Sequence, residues 1–182
     1  GLFTNNTIVG YYSAADKIIQ AIKGLLGPFS QTIYPFINKK VVVSKEAGLK
    51  IIRKITICVA FFTFLLSISV FTFAQQVTFL VLGQSYIKSI IILKILAITP
   101  FLIGLSNVFG IQTMISFGRN RAFRNILICA SVINIILSLL LVPAFSYLGS
   151  AIAVVIVEFF VTTSMFIYLQ TTGIKIVEFK DV

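Results

Sequence analysis

From Ile55 to Leu82 no residue carries a charge, and the heart of that run reads ICVAFFTFLLSISVF. A helix on a soluble protein alternates apolar and polar faces, whereas one that crosses hydrocarbon needs about 20 predominantly apolar residues in succession. Runs of that kind recur along this sequence. Inside a bilayer the backbone has no water to bond to, so each such run must satisfy its own N–H and C=O groups as a helix. The composition agrees: 58% of the residues are hydrophobic, 11% are charged, mean hydropathy is +1.06, and there are 18 Phe in 182 residues.

The fold class is therefore all-α, a polytopic transmembrane helix bundle that occupies 1–182 as a single domain. Five spans are expected, at about 9–38, 55–82, 89–117, 122–143 and 150–170. Ser44 is placed to cap a short amphipathic helix in KKVVVSKEAGLKIIRK, with Glu46 in its first turn. Gly83 breaks the chain after the second span. The sequence starts at Gly1 and shows no signal peptide, and an odd number of crossings leads us to expect a piece of a longer protein.

The basic residues set the orientation. Lys39, Lys40, Lys45, Lys50, Arg53, Lys54, Arg119, Arg121, Arg124, Lys175 and Lys180 fall at one set of helix ends, while Lys88 falls at the other and Lys17, Lys23 and Lys94 lie within spans. By the positive-inside rule the first group is cytoplasmic, which puts the first residues outside and the C-terminus inside. The net charge of +10 is thus a topological signal, and no nucleic-acid partner is expected. The same basic ends also suit anionic lipid headgroups.

Charges inside spans are costly, about 3 kcal/mol at mid-bilayer on insertion scales. Asp16 and Lys17 lie near an outer end and can snorkel. Lys23 is too deep for that, and it belongs to a stripe of Tyr12, Asp16, Gln20, Lys23, Gly27, Ser30 or Gln31, and Tyr34 on one helix face. Asp16 and Lys23 are separated by about 10 Å along the axis, so Glu158, also near mid-span, is the expected counter-charge. Gly24, Gly27 and Pro28 loosen the first span near its middle, and Pro100 and Gly104 do the same in the third, which also carries Asn107. Broken helices around a hydrated cavity form a transporter-like pattern. Asn134 and Ser138 read more simply as interhelical glue.

Other chemistries have little to stand on. The acids are Asp16, Glu46, Glu158, Glu178 and Asp181, too few and too scattered for an enzyme's clustered carboxylates, so no catalytic residue is assigned. There is no His, and Cys58 and Cys129 sit in apolar runs as small packing residues, so no metal site and no cofactor are expected. Asn5-Asn6-Thr7 matches a glycosylation acceptor, a pattern that occurs often by chance.

The strings VGYYSAADKI, YPFINK, VLGQSYIKSIIILKILAITPFLIGLSNVFGIQ and LVPAFSYLGSAIAVVIVE resemble, in order, the C-terminal half of bacterial O-antigen flippases. These form the polysaccharide transporter branch of the multidrug/oligosaccharidyl-lipid/polysaccharide flippase superfamily, and the resemblance extends from Ile8 to Gln170. It implies a MATE-like twelve-helix transporter of the bacterial inner membrane, of which this chain supplies the last five helices. It further implies translocation of undecaprenyl-diphosphate-linked O-antigen repeat units for lipopolysaccharide biosynthesis. The partners so implied are membrane lipid, the polyprenyl-diphosphate-linked oligosaccharide and the missing N-terminal half. A cationic central cavity is a family expectation, for which Lys17, Lys23 and Lys94 are the residues available. The alternative reading is a small polytopic scaffold subunit that transports nothing.

Overall fold

In the computed structural model residues 6–176 are described, with side chains from residue 9 onward. Asn5 of the glycosylation pattern, Glu178, Lys180 and Asp181 lie outside the described residues. The elements are α1 (Asn6–Gly24), α2 (Leu26–Val43), α3 (Lys45–Thr72), α4 (Ala74–Val81), a 3-10 turn (Gln84–Tyr86), α5 (Ser89–Leu96), α6 (Thr99–Asn107), a π-helix (Val108–Ile115), α7 (Asn120–Phe145) and α8 (Tyr147–Thr171). Among the described residues there is no strand.

Four helical segments are long and apolar enough to cross a membrane: Lys45–Thr72, Ser89–Ile115, Asn120–Phe145 and Tyr147–Thr171. The protein is thus an all-α polytopic membrane bundle. The expected first span, 9–38, is the departure. It is divided at Leu25 into α1 and α2, and the helix begins earlier and ends later than expected, at Asn6 and Val43. Asp16, Lys17 and Lys23 in α1 and Lys39 and Lys40 in α2 dilute the apolar character of both pieces. Pro35 lies inside α2, which continues past it for two more turns.

The other expected spans are found with shifted ends. Ser44 does cap a helix, accepting a hydrogen bond from the Ala47 N–H at 3.4 Å, with Glu46 in the first turn. That helix is no separate amphipathic element, because it continues without interruption into the second crossing. The second crossing then kinks at Phe73, between α3 and α4. Gly83 supplies the expected break with φ of +85°, a conformation open to glycine at little cost. The interval left between the expected fourth and fifth spans shrinks to one residue, Ser146, between α7 and α8.

Two apolar cores lie at the two ends of the bundle. One, at the basic end, gathers Ile37, Val41 and Ile52 with Phe109, Met114, Met165 and Leu169. The other gathers Ala15 and Ile19 with Val70, Ile92, Leu93, Leu96 and Ala151. Between them, along α1–α2, α3, α6 and α8, comes a band of small and polar residues: the α1–α2 break, Thr63 and Ser67, Thr99 and Pro100, and Glu158. Two close approaches seat the helices in this band. Gly104 packs against Thr63, where an added Cβ would lie 2.6 Å from Thr63 Cγ2, and small residues are what let membrane helices come so near. Thr162 Oγ1 donates to the Leu102 carbonyl at 3.1 Å, tying α8 to α6.

Outward faces are apolar, as hydrocarbon requires. Phe61, Phe62, Phe64, Ile68 and Phe71 on α3 and Ile128, Val132, Ile135 and Leu139 on α7 are exposed. Cys58 and Cys129, expected as small packing residues of their apolar runs, are exposed on these faces.

Candidate functional site

α7 runs antiparallel to α8 after the one-residue turn at Ser146, and α6 with the π-helix lies against both. Where the three diverge they leave a groove of about 500 Å³, lined on the polar side by Ser106, Asn107, Ser131, Asn134 and Glu158 and on the apolar side by residues such as Phe123 and Met165. Glu158 and Asn107, two of the residues singled out from the sequence, thus face one space. Glu158 owes its position to Thr162 one turn later, whose hydroxyl also contacts the Glu158 carbonyl at 2.8 Å while it reaches Leu102. The register of α8 against α6 is thereby set beside the acid.

Lys23 does not line the groove beside Glu158. The two make no direct ion pair within 4.0 Å.

The remaining candidates spread over other surfaces. Asp16 accepts a hydrogen bond from Gln20 Nε2 at 3.5 Å, so these two satisfy each other along α1. Lys17 is exposed on the same helix. Lys94 is exposed on α5 with its ammonium 5.7 Å from the centre of the Phe71 ring, a cation–π contact on a face away from the groove. The three lysines available for a cationic cavity are therefore not gathered into one by this chain. Of the helix-breaking residues, Gly24 ends α1, Gly27 and Pro28 fall in the first turn of α2, and Pro100 falls in the first turn of α6. Gly104 is not at a break: it lies inside α6, where its lack of a side chain admits Thr63. Asn134 does not bond to another helix, as glue would, but accepts from Ser138 on its own helix at 3.4 Å.

Two features had no signal in the sequence reading. Gln112, in the π-helix, is 2% exposed and donates from Nε2 to both the carbonyl and the hydroxyl of Ser30, each at 2.9 Å. Of the two residues that the stripe on the first span left open, it is Ser30 that faces inward, while Gln31 is exposed. Ser67 Oγ accepts from the Phe101 N–H at 3.2 Å, a donor freed by the start of α6. A buried Gln in a third span and a Ser in a second are the signals available, and only their partners on other helices distinguish them from ordinary polar substitutions.

At the basic end, Arg53 of α3 donates from Nε and Nη2 to the Lys175 carbonyl at 3.0 and 2.8 Å. This fixes the segment after α8 against α3, and Ile174 and Ile176 are buried there.

The chain is 32% identical over 176 residues, 97% of its length, to a protein of Escherichia coli (strain K12) named "Putative O-antigen transporter", of which the match covers 42%. It is 24% identical over 163 residues, 90% of its length, to a protein of the same name from Shigella dysenteriae, of which it covers 40%. The chain thus spans about two fifths of the length of the curated relatives it matches. The resemblance drawn from its local strings, to O-antigen flippases, is carried by both. No protein-family pattern matches the chain, and no solved structure matches it.

Proposed function

We propose that this chain is part of an O-antigen flippase, and that with the rest of such a transporter it moves a polyprenyl-diphosphate-linked oligosaccharide across the bacterial inner membrane. The observation that carries the reading is similarity along nearly the whole chain to proteins named as O-antigen transporters, in a bundle of apolar helices built to cross a membrane. In this reading the divided pair α1–α2 is a fifth crossing, and the basic ends face the cytoplasm. The chain acts without catalysing a covalent step.

The groove between α6, α7 and α8 suits such cargo chemically. Two amides, two hydroxyls and one carboxyl can exchange hydrogen bonds with sugar hydroxyls, and the apolar wall can take the faces of sugar rings. Lys23 adds a single positive charge at mid-depth, where a diphosphate or an acidic sugar would compete with Glu158 for it. That competition gives a buried ammonium a use in transport.

The test is complementation of a bacterial strain that lacks its own flippase, with the full-length parent and surface O-antigen as readout. Lys23→Ala should abolish or strongly reduce display at unchanged membrane abundance, and Lys23→Arg should keep a measurable part of it because the charge remains. Lys94→Ala, whose lysine sits over Phe71 and away from the groove, serves as the matched control and should retain display. Full display with Lys23→Ala would make Lys23 a structural residue and remove it from the mechanism.

A further inference from the structure

Gln112 is held in one orientation by its neighbour. Its amide has two N–H donors, and both are taken, one by the Ser30 carbonyl and one by the Ser30 hydroxyl oxygen. Turning the amide over would set Oε1 against the Ser30 carbonyl, acceptor against acceptor. Oε1 must therefore point the other way, and there it has no hydrogen-bond partner among protein atoms. A buried carbonyl left unbonded in a membrane interior is costly, because neither solvent nor lipid can replace the lost bond.

Beside it lies a small cavity between α2, α3 and α6, bounded by Leu26, Ser30, Gly104, Asn107, Val108 and Gln112 among others. Its volume is about 10 Å³, the scale of a single water molecule. Its wall offers what a water needs. Gln112 Oε1 is an acceptor, the Ser30 hydroxyl has its own proton still to give, and the Asn107 amide, which bonds to no other described residue, can donate and accept. The wall contains no carboxylate, so a cation there would be uncompensated, whereas a neutral water would not.

We propose that this cavity is a single-water site, in which one ordered water accepts from Ser30 or Asn107 and donates to Gln112 Oε1, bridging α2 to the junction of α6 with the π-helix. Asn107 also lines the larger groove that holds Glu158, so the water joins the Gln112–Ser30 clamp to that groove through one side chain. The clamp sits at the level where α1 and α2 part, and the water is what completes its hydrogen bonding.

Two substitutions at Asn107 distinguish a wet cavity from a dry one by the order of their effects. Asn107→Leu fills the space with hydrocarbon and expels the water, leaving Oε1 unbonded; Asn107→Ala removes one partner but leaves room for water to remain. A wet site predicts that the detergent-solubilised full-length protein melts lowest with Leu, and that Ala lies between Leu and wild type. A dry cavity predicts the reverse order, with Leu at or above wild type, and that order would overturn the proposal. A high-resolution density map of the unsubstituted protein in a lipid nanodisc gives the independent reading: a water peak about 2.5–3.0 Å from Gln112 Oε1 supports the site, and a well-ordered Gln112 without one refutes it. If either variant fails to fold, the map decides alone.

Discussion

Gly149 sits in the first turn of α8 beneath the end of α7, and of the described glycines it leaves the least room for an added Cβ. A Cβ built there overlaps the Leu141 carbonyl oxygen and lies 2.5 Å from the Leu141 carbonyl carbon and 2.9 Å from the Val142 nitrogen. Ordinary contact begins near 3.4 Å, so the two helices must part locally by about 1 Å to admit one methyl group. The obstructing atoms are backbone, and no side-chain rotation can give way. Overpacking of this kind costs about 1–3 kcal/mol, and a rigid backbone obstacle belongs at the upper end. The turn offers no slack either, since Ser146 is already held at φ of +54°, where a side chain is disfavoured. With a melting shift of about 2–4 °C per kcal/mol for a chain of this size, Gly149→Ala should melt roughly 4–10 °C below wild type. Gly24→Ala is the control: nothing lies within 4 Å of its added Cβ, and alanine favours helix, so it should melt at or slightly above wild type. The measurement is fluorescence-detected thermal melting of the detergent-solubilised protein. If Gly149→Ala melts within about 1 °C of wild type, the α7–α8 packing described above is wrong.

Ser67→Ala removes the acceptor of the Phe101 N–H at the start of α6, and should cost about 1–3 kcal/mol, read as a lower melting temperature, whereas Ser69→Ala, whose hydroxyl bonds only to Leu65 of its own helix, should be close to neutral. Ser146→Gly relieves the positive φ at the α7–α8 turn and should raise the melting temperature; a fall would show that the Ser146 side chain has a role its backbone does not reveal. For orientation, cysteines placed by Lys45→Cys and Asn120→Cys, in a background with Cys58 and Cys129 replaced, should resist an impermeant thiol reagent added to whole cells, and labelling of both would invert the topology.

The medium, the helices and most of their punctuation are legible in the amino-acid order alone. Uncharged apolar runs leave helix as the structure that a bilayer tolerates, and that logic is local to each run. The Ser44 cap, the Gly83 break, and the interruptions at Gly24, Gly27, Pro28 and Pro100 are also local, because each follows from one residue's backbone limits or hydrogen-bonding groups. The expectation of similar depth for Lys23 and Glu158 follows from position along helices of known rise, and the two make no ion pair within 4.0 Å. Which face of each helix meets which neighbour is set by packing between helices. Lys94 and Lys23 look alike in sequence, yet Lys94 lies over the Phe71 ring while Lys23 stands in the last turn of α1. Gly104 looked like a break and is a contact with Thr63, since a glycine inside a helix serves either purpose until its neighbour is known. The π-helix from Val108 to Ile115 has no residue signature of its own, and within it Gln112 finds Ser30, a partner 82 positions away in the chain. Helix registers are fixed by packing between segments far apart in sequence, and no pattern within one segment encodes them.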